Sequence, residues 1–363
     1  MNEFNKPNIN ENDHLKCPNH NREPKKRGCL IIFIIIILIG IFTAVVLVFI
    51  VFSLLFSTIL TNDSSSNKHQ LKQIYKSGNI HSNNKIALIY IKGIIQNSDT
   101  TWNKAANIND ISQQLEESEN DPDIKAIILY INTPGGEITA TDILHHNIEK
   151  VKLKKPVIAI MDSIATSGGY YVAVASDYII ANRLTITGSI GVIINSYNIY
   201  DLLKKVGIND EVYKSKKMKD ILNPARPRTK EEKTIIQALI SESYLEFVKI
   251  VSQGRIDKAP KLTVKYIQNS IIGDGRIFSG AQAYKLGLID ELGYFQNAVD
   301  KAIDLAKLSK NDYKLISYKK QLSFSDILQK FTSNINKINV EIPIIKQYSK
   351  IESGKLYYIY LGN

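Results

Sequence analysis

Cysteine is nearly missing from this chain, and histidine is confined to its first half. Among 363 residues the only cysteines are Cys17 and Cys29, so everything beyond residue 29 lacks both a thiol nucleophile and a disulfide. Cys17-Pro18-Asn19-His20 has the form of half a zinc knuckle, but no second half follows, and it reads as a tail segment without a metal. The six histidines are His14, His20, His69, His81, His145 and His146. There is no Walker loop and no His-Glu-x-x-His pair, so neither a nucleotide nor a metal cofactor is expected. Net charge is +11, but the excess is Lys scattered among Asn and Ile, without interleaved aromatics or a helix-turn-helix signature. Nucleic acid is therefore not an expected partner. Hydrophobic content of 44% with 22% charged residues excludes a globally disordered chain.

Charge is also absent from Gly28 to Thr61, where Ile, Leu, Val and Phe dominate. A membrane-spanning helix takes about 20 apolar residues, and the apolar core of a cleaved signal peptide only about 7–15. The run is expected to be a retained anchor over residues 28–61. Lys25, Lys26 and Arg27 precede it and a Ser/Asn-rich stretch follows. By the positive-inside rule this predicts a cytoplasmic tail, 1–27, at the inner or cell membrane, with the remainder exported.

Residues 62–84, rich in Ser, Asn and Lys, read as a polar stalk. Short β-branched runs then alternate with helical stretches, a pattern that predicts an α/β domain over 85–309. The strands are Ile86–Ile91, Ala126–Ile131, Val157–Met161 and Tyr178–Ala181. Helices are expected over 107–119, 138–151, 168–176, 230–253 and 296–308. Thr229 and Glu232 form a capping-box pattern at the start of the long fourth helix, and Gly254 is expected to end it. Residues 310–363 carry no assignable signal.

Two glycine turns follow strands: Asn132-Thr133-Pro134-Gly135-Gly136 and Ser167-Gly168-Gly169-Tyr170-Tyr171. A serine at a strand-to-helix junction sits beside unpaired amides, which suits a nucleophile whose tetrahedral intermediate is anionic. Taken singly, each turn also reads as an ordinary loop. The serine requires a base. His145 and His146, expected on an exposed or half-buried helix face, are one possibility. Lys219, in Lys214-Ser215-Lys216-Lys217-Met218-Lys219-Asp220, is another, provided burial or neighbouring Lys charge lowers its pKa. From residues alone such a basic run is more often a solvated loop than a base-bearing one.

From about 86 to 300 the chain resembles the SppA-type signal peptide peptidases, Ser/Lys serine peptidases with a crotonase/Clp protease-like fold of repeated β–β–α units. The matching segments are NTPGGEI at 132–138, SGGYYVAVASDYIIA at 167–181 and TGSIGVI at 187–193. YKSKKMKDILNPARPRTKEE at 213–232 and DGRIFSGAQAYKLGLIDELG at 274–293 continue the match. The resemblance implies a single catalytic domain with Ser167 as nucleophile and Lys219 as base. It further implies that the Gly136 and Gly168 amides form the oxyanion hole, and Ser189 is the candidate to orient the lysine. Cleaved signal peptides and other apolar peptides are the implied substrates, and a homo-oligomeric ring the implied assembly. Thr133 departs from the usual serine but keeps the hydroxyl, and Glu137 adds a carboxylate near the cleft. A catalytically silent scaffold, an acyl-CoA enzyme of the crotonase type and a stomatin-associated peptidase are the rival readings.

Overall fold

A computed structural model describes residues 26–62, 71–97, 105–321 and 355–360. Residues 1–25 of the predicted tail and 63–70 of the predicted stalk lie outside the described residues. The chain divides into two compact units, Met1–Asn67 and Lys68–Asn363.

The first unit contains α1 (Lys26–Asn62), within which Ile32–Ser53 forms a predominantly apolar span of 22 residues. At 1.5 Å per residue that span is about 33 Å long, enough to cross the hydrocarbon core of a bilayer. Its large apolar side chains are exposed.

The second unit begins with β1 (Leu71–Gly78) and β2 (Lys85–Lys92), followed by the short β3 (Ile95–Gln96) and β4 (Ala106–Asn107) and then α2 (Ile108–Asn120). Next come β5 (Ile124–Thr133), β6 (Gly135–Glu137) and α3 (Ile138–Lys152), and after them β7 (Val157–Thr166) and α4 (Gly168–Ala173). These are successive β–β–α units in which a long strand enters the main sheet and a short one enters a second sheet. β8 (Tyr178–Ala181), β9 (Ile186–Gly188), β10 (Ile193–Ile194) and α5 (Tyr200–Lys205) precede the long α6 (Lys230–Arg255). The chain continues through α7 (Val264–Gln268), β11 (Ile277–Ser279), α8 (Gly280–Leu286), β12 (Glu291–Leu292) and α9 (Phe295–Leu305) to β13 (Lys314–Lys320) and β14 (Leu356–Ile359).

The main sheet runs β1-β13-β2-β5-β7-β8-β12, with β9 joining β7 and β11 joining β9. Its central pairs are parallel and both faces are covered, which is why the strands read as nearly continuous apolar runs. Alternate side chains supply two cores. Ile89, Ile91, Leu129 and Ala159 pack with α2, α3, α4 and α6, while Ile86, Leu88, Ile128 and Ile160 pack against Ala298, Val299 and Ala302 of α9. Each such aliphatic side chain contributes roughly 1.5–3 kcal/mol by leaving water.

Three boundaries differ from the sequence reading. Residues 71–78, taken as part of a stalk, form β1, which pairs antiparallel with β13. Only Leu71 and Ile74 are partly covered there, so this exposed edge strand has the composition of a linker. Residues 314–320 and 356–359, left unassigned, are strands of the two sheets, and the unit therefore extends beyond both ends of 85–309. The fourth predicted helix continues through Gly254 to Arg255. Gly254 serves close packing instead, because a Cβ there would lie 2.5 Å from the Val174 carbonyl oxygen.

The end of α6 is fixed by a buried ion pair. Arg255 donates from Nη2 to Asp290 Oδ1 (2.8 Å), from Nη1 to Asp290 Oδ2 (3.1 Å) and from Nε to the Gly287 carbonyl (3.0 Å). Asp290 Oδ2 also accepts from the Ile179 amide at 2.8 Å, tying β8 to the same point. Removing one partner leaves the other charge buried and unpaired. Asp290→Ala is expected to destabilise the fold by about 3–5 kcal/mol, read as a fall in the urea midpoint; a loss below about 1 kcal/mol would place the pair among weakly coupled surface bridges.

Candidate active site

Ser167 occupies the one residue between β7 and α4, with φ 53° and ψ −116°. A non-glycine residue at positive φ costs on the order of 1–3 kcal/mol and persists only when its surroundings hold it there. Two hydrogen bonds do so: the Ser167 amide donates to the Gly188 carbonyl (2.7 Å), and the Ser167 carbonyl accepts from the Tyr171 amide (2.9 Å). The side chain is buried, and Oγ makes no hydrogen bond within the described residues.

The glycine turns meet at this serine. The point where a Cβ on Gly135 would stand is 2.7 Å from the Gly168 nitrogen, and a Cβ on Gly168 would lie 3.1 Å from the Gly135 Cα. Gly135 has φ +105°, so the turn requires glycine on conformational grounds as well. Thr133 closes it: its hydroxyl accepts from the Gly135 amide (3.0 Å) and donates to the Gly135 carbonyl (3.2 Å). The hydroxyl kept at this position thus has a structural use. Gly135 and Gly168 are therefore neighbours beside Ser167, and Gly136 is the next residue along β6.

Ser189 is brought to the same place by sheet register. β9 runs parallel to β7 with Thr166 opposite Gly188, so Ser167 and Ser189 each follow one member of that pair. Ser189 is buried, has φ 53°, and donates its amide to the Arg276 carbonyl (2.8 Å).

Lys219 makes no hydrogen bond to Ser167 Oγ. It is exposed on a turn in which its amide donates to the Lys216 carbonyl at 3.1 Å. Two of its three neighbouring lysines are paired with carboxylates. Lys214 pairs with Asp220 at 2.6 Å and Lys217 with Glu231 at 2.8 Å. Arg226 organises the turn by donating from Nε to Asp220 Oδ2 (2.8 Å), from Nη1 to Glu232 Oε2 (3.0 Å), and from Nη2 to Glu232 Oε1. Hydrogen bonds from Arg226 and then Lys214 hold the Asp220 carboxyl well below the usual carboxylate range. Arg226 and the Thr229 amide likewise pull Glu232 down to about 2.

His145 is buried rather than exposed or half-buried, while His146 is exposed. His145 packs edge-on to Tyr171 with ring centroids 5.1 Å apart, and its Nδ1 is 3.7 Å from a Glu149 oxygen. Burial lowers its pKa against the opposing pull of Glu149 and Asp142. It makes no hydrogen bond to Ser167 Oγ.

Three features had no counterpart in the sequence reading. Thr141, on the first turn of α3, has a buried hydroxyl without a partner among the described residues, 2.9 Å from where a Gly168 Cβ would stand. Tyr171 donates to Asp142 Oδ1 at 2.7 Å, and burial together with that carboxylate pushes its phenol far above its ordinary value. β14 pairs antiparallel with β6, beside the site glycines. The Ser-Gly-Gly-Tyr-Tyr run contained the signal for the second feature. The third depends on a segment distant in sequence.

The model of peptidase family S49 matches residues 149–309, a range that includes Ser167, Ser189 and Lys219. A chain of Enterococcus faecium named as a signal peptide peptidase SppA is 34% identical over 242 residues, 66% of this chain and 68% of that one. A chain of Methanocaldococcus jannaschii named as a protease is 41% identical over 195 residues, covering 54% of this chain and 60% of its own length. Protease 4 of Haemophilus influenzae is 33% identical over 223 residues, 61% of this chain but 35% of its own. With the β–β–α architecture, the serine elbow and these likenesses together, the chain belongs to peptidase family S49 as an SppA-type member with the crotonase/Clp-like fold.

Proposed function

We propose that this protein is a membrane-anchored serine endopeptidase that degrades cleaved signal peptides and other apolar peptides at the membrane, through Ser167 and Lys219. The observation that carries the reading is the serine elbow itself: a strained, buried residue whose Oγ has no partner, next to the converging Gly135-Gly136 and Gly168 backbones. A structural serine in so enclosed a place would normally be hydrogen-bonded. The substrate class rests on the name borne by the Enterococcus faecium relative, and the anchor on the 22-residue apolar span.

In this mechanism neutral Lys219 takes the Ser167 proton while Oγ bonds to the substrate carbonyl carbon. The developing oxyanion is met by the Gly136 and Gly168 amides, and Ser189 orients the amine. The C–N bond then breaks, the ammonium protonates the leaving amine, and water attacks the acyl-enzyme with Lys219 again as base. No cofactor takes part. Because Lys219 is exposed in the single chain, the reaction requires its turn to close over Ser167 and shed water. We propose that assembly into a homo-oligomeric ring achieves this by covering exposed apolar side chains such as Tyr197, Leu202, Val206 and Tyr213 on the approach to that turn. The separation of Lys219 from Ser167 also favours a second reading, a peptide-binding scaffold without turnover.

Ser167→Ala and Lys219→Ala, folded and assembled like the wild type, are each expected to lose roughly 10³-fold or more of the cleavage of an apolar fluorogenic peptide. Activity retained in the lysine variant would move the base elsewhere, and an inactive assembled wild type would favour the scaffold. Arg226→Ala should lower kcat by at least about tenfold through misplacement of the Lys219 turn. Arg226→Lys should restore only part, since a lysine cannot reproduce the guanidinium fork. An unchanged kcat in both would separate this ion-pair cluster from catalysis.

A further inference from the structure

The main sheet carries a cavity on the face opposite α4. Along β2 and β5 alternate side chains serve different layers: Ile89, Ile91 and Leu129 enter the core that holds α4, whereas Leu88, Tyr90 and Tyr130 face the α9 layer. On that α9 side the strands enclose a volume of about 360 Å³, which the buried Leu88 and Leu315 line from below. Sheet register builds its aromatic part. Tyr90 lies opposite Tyr130 with ring centroids 5.5 Å apart, and Phe295 at the start of α9 is 6.2 Å from Tyr130.

Lys92 is two residues beyond Tyr90 on β2 and therefore shares its face. Its ammonium stands 4.6 Å from the Tyr90 centroid and 4.8 Å from the Tyr130 centroid. Ring faces hold an ammonium in place without neutralising it. A bulge in β1 supplies a second cation. Consecutive strand residues point to opposite faces, yet Lys76 and Ser77 both line the cavity. The pairing with β13 steps from Tyr75–Ile316 directly to Ser77–Leu315, which leaves Lys76 as the extra residue, and a bulge of this kind re-aims side chains. No carboxylate lines the cavity, and among the described residues neither lysine has an ion-pair partner. The nearby Asp162 is already engaged: it accepts from the Tyr130 hydroxyl and, at 2.9 Å, from Asn132 Nδ2.

We propose that this cavity binds a monocarboxylate with an aromatic body, the Lys92 ammonium taking the carboxylate and the rings of Tyr90, Tyr130 and Phe295 taking the body. A volume of about 360 Å³ is at the small end of ligand pockets and suits a single aromatic residue or an acid of that size. An anion without an apolar body would leave the leucine surface unfilled, and a cation would meet like charge. A free aromatic acid and the carboxy-terminal residue of an apolar peptide share the required chemistry. The site uses neither Ser167 nor Lys219 nor the glycine turns, so it stands or falls apart from the peptidase reading.

The test uses the full chain carrying Ser167→Ala, so that no peptide is turned over. Binding of phenylpropionate and of acetyl-alanyl-alanyl-phenylalanine, each compared with its amide, is read by isothermal titration. Phenylpropionate should bind saturably and its amide about tenfold or more weaker, because a charge-assisted hydrogen bond is lost. Lys92→Met keeps the apolar stem, removes the charge from an exposed position, and should weaken binding of the acid by a similar factor with the melting temperature unchanged. A peptide acid that binds more tightly than phenylpropionate, with the same dependence on Lys92, would support the proposal with a peptide end as the source. Lys92-dependent binding of phenylpropionate alone would support it with a small free acid as the source. Equal binding of acid and amide, binding indifferent to Lys92→Met, or no saturable binding of either acid would overturn it. So would displacement of phenylpropionate by an equal concentration of inorganic phosphate, since the rings would then read nothing.

Discussion

Three stretches of backbone converge around Ser167 more closely than side chains allow, and the arrangement of the site follows from that crowding. A Cβ on Gly136 would sit 1.9 Å from the Ile95 carbonyl oxygen, and one on Gly169 would sit 2.8 Å from Thr133 Cγ2. Real Cβ atoms do not tolerate such distances, so β3, β6 and the start of α4 stay in register only while these positions lack side chains. The closeness sets the Gly135 and Gly168 backbones side by side next to Ser167. The left-handed backbone of Ser167 is held by the hydrogen bonds of its own amide and carbonyl. The strain and the glycine contacts are two sides of one constraint: the chain turns sharply at Ser167 where the two glycine turns pack against each other.

That constraint is affordable because the sheet beneath it is rigid. β5 and β7 each end at one of the glycine turns, and both strands are buried on two faces by separate helical layers. Close packing of this kind leaves little room for relaxation, so a displacement at the end of either strand would be felt across the sheet. β9 adds a third fixed element, since its register against β7 determines where Ser189 stands relative to Ser167.

How much of this was legible in the sequence depended on whether a segment carried its own pattern. The central strands did, because burial on both faces leaves unbroken runs such as AIILYI. So did α6, where Thr229 and Glu232 cap each other as their spacing implies, with Thr229 Oγ1 accepting from the Glu232 amide at 3.2 Å and Glu232 Oε2 from the Thr229 amide at 2.8 Å. The serine elbow was visible as a Ser-Gly-Gly run after a strand. β1 was not, because an edge strand with few covered side chains keeps a linker's composition. β14 was not, because its place depends on pairing with residues more than 200 positions earlier in the chain. The setting of Lys219 was left open for a related reason: consecutive lysines look like a cationic cluster until Asp220 and Glu231 are seen to pair with two of them. His145 was placed too far out, since one helix face carries both it and Leu144 into the core.

Glu232 belongs to two structures at the same time. It completes the capping box of α6 and also receives the guanidinium of Arg226, which in turn grips Asp220 beside Lys219. The turn and the first coil of the helix are therefore latched to a single carboxylate. A swing of the turn that kept Arg226 in place would carry the helix start with it, and a swing without the helix would have to break a fork of charged hydrogen bonds. The lysine arm is thus geared to a helix of 26 residues, and whatever leans on that helix gains leverage over where the amine points.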